Sequence, residues 1–410
     1  MKKYILIILC CLTSFPLWSY NVNMIVEHYS VDQGLPNNTV NCTLKDRDGF
    51  IWFGTWYGLC CFDGVKFKTF NKQEHDSDVP PRKIQRIVED KNGYIWVKTI
   101  DRKLYVFNKV TECFHAVYDD MKNYSENIQV IKLQNTAEGD VLLLTKDKNL
   151  LLAGVDEKGQ VTIKILFDSR NEINKHDYTL KHHVLCETEE YISWIGTDYK
   201  VAAVHKGSEL ASRPADFITS KINSGDKDSF TSFFEDGRKV WVGDRAGIFY
   251  SIDVRTGLVN RYVLSEIKGA ISNLLVTPAG YVYLSVAGQG TYEYDLAERR
   301  LQKINTEMND AMVTHAFIDQ YDKIWFHENE KALIYYDPLN HTAKRFPFTM
   351  FGKITTLYSE DAGERGLFFL SPAGEAWLFD REHAEMVYIN KLKQLSNDRA
   401  NQQFYHLMLD

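Results

Sequence analysis

A short pattern of turn residue, aromatic or polar residue, Ile or Val, and Trp returns along the chain and limits the folds open to it. On its last position stand Trp52, Trp96, Leu142, Trp194, Trp241, Tyr283, Trp325 and Phe369, spaced 42 to 52 residues apart. Upstream lie seven-residue stretches that alternate apolar and polar side chains, as at 40–46, 84–90, 230–236 and 313–319. A period of two is that of a strand. Next comes a turn, capped by Asp and entered by Gly at positive φ, as at Asp48 and Gly49. A third strand and a short fourth complete a unit of about 45 residues.

Four antiparallel strands with one Trp-bearing strand per unit predict an all-β chain, a β-propeller of four-stranded blades. A blade lies between two others, so both faces of its middle strands are apolar. Trp52, Trp96, Trp194, Trp241 and Trp325 are therefore read as packing residues between blades. Seven units close into a ring ending near residue 350, and the remainder of the chain is one blade plus the first strand, 404–410, of a ninth unit. An eight-bladed ring with a tail is the competing arrangement. The long stretch 155–182 predicts an insertion or long loop in the third unit.

At 410 residues with 44% hydrophobic content the chain has ample apolar surface for a core. Its net charge of −7 offers no basic excess for a phosphate backbone, which argues against nucleic acid as a partner. Residues 1–20 read as a signal peptide: Lys2 and Lys3, an apolar run from Tyr4 to Leu12, then small and polar residues. An uncleaved anchor is the other reading of that segment. The mature chain, from about residue 21, is expected in the periplasm with no membrane contact of its own. Cys42, Cys60, Cys61, Cys113 and Cys186 lack the spacing of a disulfide framework or zinc site, and His182 and His183 add no metal-ligand pattern. No metal or cofactor is predicted.

The first unit carries a resemblance. Tyr29-Ser30-Val31-Asp32-Gln33-Gly34-Leu35-Pro36-Asn37-Asn38, then Ile51-Trp52-Phe53-Gly54-Thr55 and Gly58-Leu59, then Phe62-Asp63-Gly64, resembles the two-component regulator propeller repeat. Later units match it in part, as at Trp194 to Thr197 and Val240 to Gly243. The resemblance implies the extracellular sensor half of a hybrid two-component system of gut Bacteroidetes. Such a sensor detects breakdown products of polysaccharides through two seven-bladed propellers, an immunoglobulin-like domain, a membrane helix and a histidine kinase. This sequence shows no kinase or receiver after the propeller, so it reads as a truncated or split member. The expected organisation is residues 1–20 signal peptide, 21–350 seven-bladed propeller, and 351–410 the start of a second.

No HExxH, GxSxG or phosphate loop is present, so catalytic residues are not assigned. In a propeller the loops joining second and third strands gather on one rim. There the sequence places Trp56, Tyr57, Arg102, Asp198, Tyr199, Asp244, Arg245, Gln289, His327 and Glu328. Aromatics beside acids and amides suit sugars, which offer an apolar face and hydroxyls. The expected function is an exported, non-enzymatic propeller that binds oligosaccharide. Its partners are the saccharide and a full-length sensor or other periplasmic protein. A protein-binding scaffold and a sialidase-like propeller enzyme are the alternatives.

Overall fold

The computed structural model describes residues 29–70, 81–122, 124, 129–170, 180–196, 201–207, 215–216, 230–304, 313–328, 331–351, 358–361, 363–371 and 374–391. Residues 1–20, read from sequence as a signal peptide, and the strand expected at 404–410 lie outside them.

Eight four-stranded antiparallel sheets succeed one another, each with its strands paired in chain order. The first holds Val40–Lys45, Ile51–Thr55, Gly58–Phe62 and Phe67–Phe70. All eight aligned positions fall on second strands, from Ile51–Thr55 and Ile95–Thr99 through Leu367–Leu370. The long third unit resolves into a full strand, Val161–Phe167, while 171–179 lie outside the described residues.

Successive sheets share apolar cores: first with second, second with third, and so on to seventh with eighth. Trp52, Trp96, Trp241 and Trp325 lie in the core shared with the following sheet. Trp194 lies in the core shared with the preceding one. All five are buried, with at most 3% of their surface exposed. Each of these tryptophans thus packs between two successive sheets.

The four forward-facing tryptophans share a polar latch. The acid ending the first strand accepts the indole N–H six or five residues later: Trp52 to Asp46 at 2.7 Å, Trp96 to Asp90 at 2.9 Å, Trp241 to Asp236 at 2.8 Å and Trp325 to Asp319 at 3.3 Å. The other carboxylate oxygen takes two turn N–H groups, those of Asp48 and Phe50 in the first sheet. The turn cap is thus Asp46. Asp48, two residues on, is exposed and pairs with Lys109, while Gly49 does sit at φ 90. In the third and sixth sheets Thr136 and Thr277 replace the acid, and Leu142 and Tyr283 replace the Trp. These threonines still bond the turn, through the N–H groups of Asp140 and Tyr281.

A second device clasps sheet to sheet. The Lys109 ammonium, at the end of the second sheet's third strand, meets Asp46, Asp48 and Glu89 at 2.7–2.9 Å. Arg381 of the eighth sheet does the same to Asp319 and Asp361, and Lys206 of the fourth to Glu138 and Glu187. The eighth sheet therefore stacks on the seventh through an apolar core and a cationic clasp, as the second stacks on the first. Residues 352–357, where a break was expected, lie outside the described residues.

Candidate functional site

On one rim, backbone hydrogen bonds tie the loop of each sheet to the entry of the next. The N–H of Trp56 bonds the carbonyl of Thr39, Lys83 bonds Trp56, Ile100 bonds Lys83, Val130 bonds Arg102 and Lys146 bonds Gln129, all between 2.8 and 3.1 Å. This chain of contacts fixes the first three sheets' loops as one continuous surface. It presents Trp56, Tyr57, Ile100 and Tyr118, which are 38%, 61%, 43% and 62% exposed. The Lys83 ammonium lies over the Trp56 ring, 5.5 Å from its centroid.

Beside Tyr118 opens a cavity of about 390 Å³, lined by Asp101, Arg102, Lys103, Leu104, Tyr105 and Gln129 together with residues of the short helix Tyr118–Met121. The helix is held by the Val117 N–H bonding the Leu104 carbonyl at 3.1 Å. The turn 99–103 aims Arg102 outward: its N–H bonds the Thr99 carbonyl at 2.9 Å, and its backbone takes φ 66. The Thr99 hydroxyl bonds the Asp101 carboxylate, which is held below the usual carboxylate range, burial being outweighed by that bond and by Lys103.

Beneath the turn, Lys98 is buried and bonds the Gln85 side-chain oxygen. Burial, then Arg102 and Arg86, hold its ammonium below the usual lysine range. Lys132 is lowered as well, by burial and by Arg86, against an opposing contribution from Cys186.

Of the rim residues expected from sequence, Trp56, Tyr57 and Arg102 lie on the loops that these backbone bonds link, and Arg102 lines the cavity. Asp198 and Tyr199 lie outside the described residues. Asp244 is buried and caps its own turn, accepting the N–H groups of Ala246 and Ile248 at 2.9 and 2.8 Å. Gln289 accepts the Lys268 N–H at 2.7 Å and donates to the Glu266 carbonyl at 3.1 Å, which pins a loop. Glu328 is buried against Arg345. His327 packs on Phe348, its imidazole lowered by burial and by His315. Arg245 is exposed on the fifth sheet, away from the cavity. Sequence reasoning missed Tyr105, Tyr118 and Gln129, which reach the cavity from a third strand, a helix and the next sheet's entry.

Asp46, Asp48 and Glu89 bring carboxylates close enough to hold a cation, and the Lys109 ammonium already lies among them. The five cysteines are free, and burial pushes Cys42 and Cys60 up to about 12. Among the described residues no helix is long and apolar enough to cross a membrane.

Eight stacked four-stranded sheets with a loop-built rim define a β-propeller protein, and a solved propeller agrees. The Dos1 propeller superposes with a TM-score of 0.51 at 13% identity, over 81% of this chain and 90% of that one. Residues 34–57 match the family described as Two component regulator propeller, so the chain carries that family's repeat. Extracellular domains from B. thetaiotaomicron are also similar. One, described as that of a hybrid two component system, is 15% identical over 90% of this chain and 55% of that one, with a TM-score of 0.38. Another, described as that of a one component system, is 13% identical over 87% and 61%, with a TM-score of 0.37. The chain thus spans 55–61% of the length of those domains. No curated protein matches the chain.

Proposed function

We propose that the chain is an exported ligand-sensing β-propeller without catalytic activity, and that it recognises oligosaccharide on the rim of its first three sheets. The observation that carries the reading is the exposure of Trp56, Tyr57 and Tyr118 on one linked rim, where Tyr118 borders a cavity whose lining mixes Tyr105 and Leu104 with Asp101, Arg102 and Gln129. Aromatic faces stack on the C–H face of a pyranose, and a few fixed polar groups bond its hydroxyls. The family repeat at 34–57 supports a sensor role, since its description is that of a regulator.

Thermal unfolding of the chain against plant, host and microbial oligosaccharides tests the reading. A ligand bound by the native state raises the midpoint by mass action. A saturable rise with one sugar class and no product formed is expected. No rise with any sugar in a cooperatively folded protein refutes the saccharide reading and leaves a protein-binding scaffold. Turnover of a sugar refutes the non-enzymatic part.

A further inference from the structure

Two positions after the repeated Trp stand Gly54 in the first sheet and Gly243 in the fifth. Neither has room for a side chain. A Cβ at Gly54 would stand 2.6 Å from Ile84 Cγ2 of the next sheet, and one at Gly243 would stand 2.7 Å from Ile271 Cγ2. In the second sheet this position is Lys98. Its direct cross-strand partner, where the first sheet has Cys42, is Arg86. Two cations face each other across one strand pair, an arrangement that is destabilising by itself.

Lys98 is only 5% exposed, and its ammonium bonds a neutral amide, Gln85. Among the described residues no carboxylate lies within ion-pair distance of it, in contrast to the clasping cations Lys109, Lys206 and Arg381, each of which meets at least two. A buried ammonium without a counter-charge is costly. Arg102, on the turn after the strand, adds a third cation that both acts on Lys98 and lines the cavity. Such uncompensated charge, held in place by the surrounding fold, is characteristic of binding sites.

We propose that Arg86 and Lys98, paired on the second sheet, form with Arg102, which lines the cavity, an anion subsite, and that the saccharide recognised there is acidic, held by a carboxylate or sulfate oxyanion. The exposed Arg86 and Arg102 contact the oxyanion, and Lys98 supplies positive potential from beneath them. The saccharide part of this inference rests on the function proposed above, whereas the anion subsite stands on the three cations alone.

Sodium glucuronate and sodium sulfate serve as probes, with glucose as the neutral control and ionic strength held constant with chloride. Each is titrated against wild type, Lys98→Met and Arg86→Gln, with the unfolding midpoint as readout. Lys98→Met is expected to fold with at least wild-type stability, because it removes a buried charge. Its apparent oxyanion affinity is expected to fall about tenfold, because the positive potential beneath the two arginines is removed. Arg86→Gln, at an exposed position, is expected to lose a similar factor. A response to glucuronate alone assigns a carboxylate ligand and a response to sulfate alone a sulfated one. Equal responses of all three proteins, or of glucose and the oxyanions, overturn the subsite. An oxyanion response lost in both variants, without binding of any oligosaccharide, supports the subsite while the saccharide reading fails.

Discussion

The Asp–Trp latch of the second sheet makes a prediction that can be worked from its contacts. Asp90 is 1% exposed and bonds three donors: the Trp96 indole at 2.9 Å, the Asn92 N–H at 2.9 Å and the Tyr94 N–H at 3.0 Å. Asp90→Thr copies the third and sixth sheets and keeps the farther turn bond, as Thr136 does. It leaves the buried indole N–H without its acceptor and loses a turn bond, at a cost of about 2–3 kcal/mol. Trp96→Leu leaves a void and an unpaired carboxylate oxygen, at a cost of about 3 kcal/mol or more. The double variant restores the Thr–Leu pairing of the third sheet and orphans neither group. Its cost is expected to be smaller than the sum of the single costs by about 1–2 kcal/mol. Amide hydrogen exchange at 84–99 reads the second sheet directly, which matters because a stack of similar sheets need not unfold in one step. Additivity to within about 0.5 kcal/mol would refute the latch as a coupled pair.

Other consequences concern packing and charge. Gly54→Ala pushes a methyl into Ile84 and is expected to cost about 1–3 kcal/mol, measured by urea unfolding; Gly49→Ala, where a Cβ meets nothing but φ is 90, is expected to cost less than Gly54→Ala. Asp46 is held below the usual carboxylate range, burial being outweighed by the bonds from Trp52 and Lys109. Its stabilising contribution is therefore complete above about pH 4 and lost as the pH falls further, and Lys109→Met is expected to flatten that loss in a melting series from pH 7 to pH 3. Glu235 behaves oppositely: one of its oxygens is buried without a hydrogen-bond partner, and burial together with Glu187 and Asp236 pushes it up to about 7. The folded chain then holds a proton that the unfolded chain has released, so stability falls as the pH rises from about 4.3 toward 7, and Glu235→Gln is expected to remove that slope.

Why the fold was so legible comes down to the repetition itself. Eight copies of one period-two pattern expose strand positions that a single copy leaves ambiguous, and each aligned residue from Trp52 to Phe369 fell on a second strand. The latch was also present in the sequence, as Asp46 before Trp52, Asp90 before Trp96 and Asp319 before Trp325, each six residues apart. Its partner role needed side-chain directions that spacing does not give. Rim residues were harder to read because a loop position does not say whether a side chain points out or back. Asp244 and Glu328 look like Asp101 in sequence, yet they turn inward to satisfy backbone N–H groups and an arginine. Tyr118 and Gln129 reach the cavity only because the end of the second sheet and the entry of the third meet there, a fact with no local signal.

Binding of saccharide by the rim of the first three sheets is read out by calorimetric titration of the full chain and of its Trp56→Ala and Tyr118→Ala variants. Both residues are exposed, so the variants are expected to fold. Saturable heat with one sugar class, weakened about tenfold in each variant, is the predicted result, given a stacking contact worth about 1–1.5 kcal/mol. Binding of the same strength in wild type and both variants, or no heat with any sugar, would contradict it.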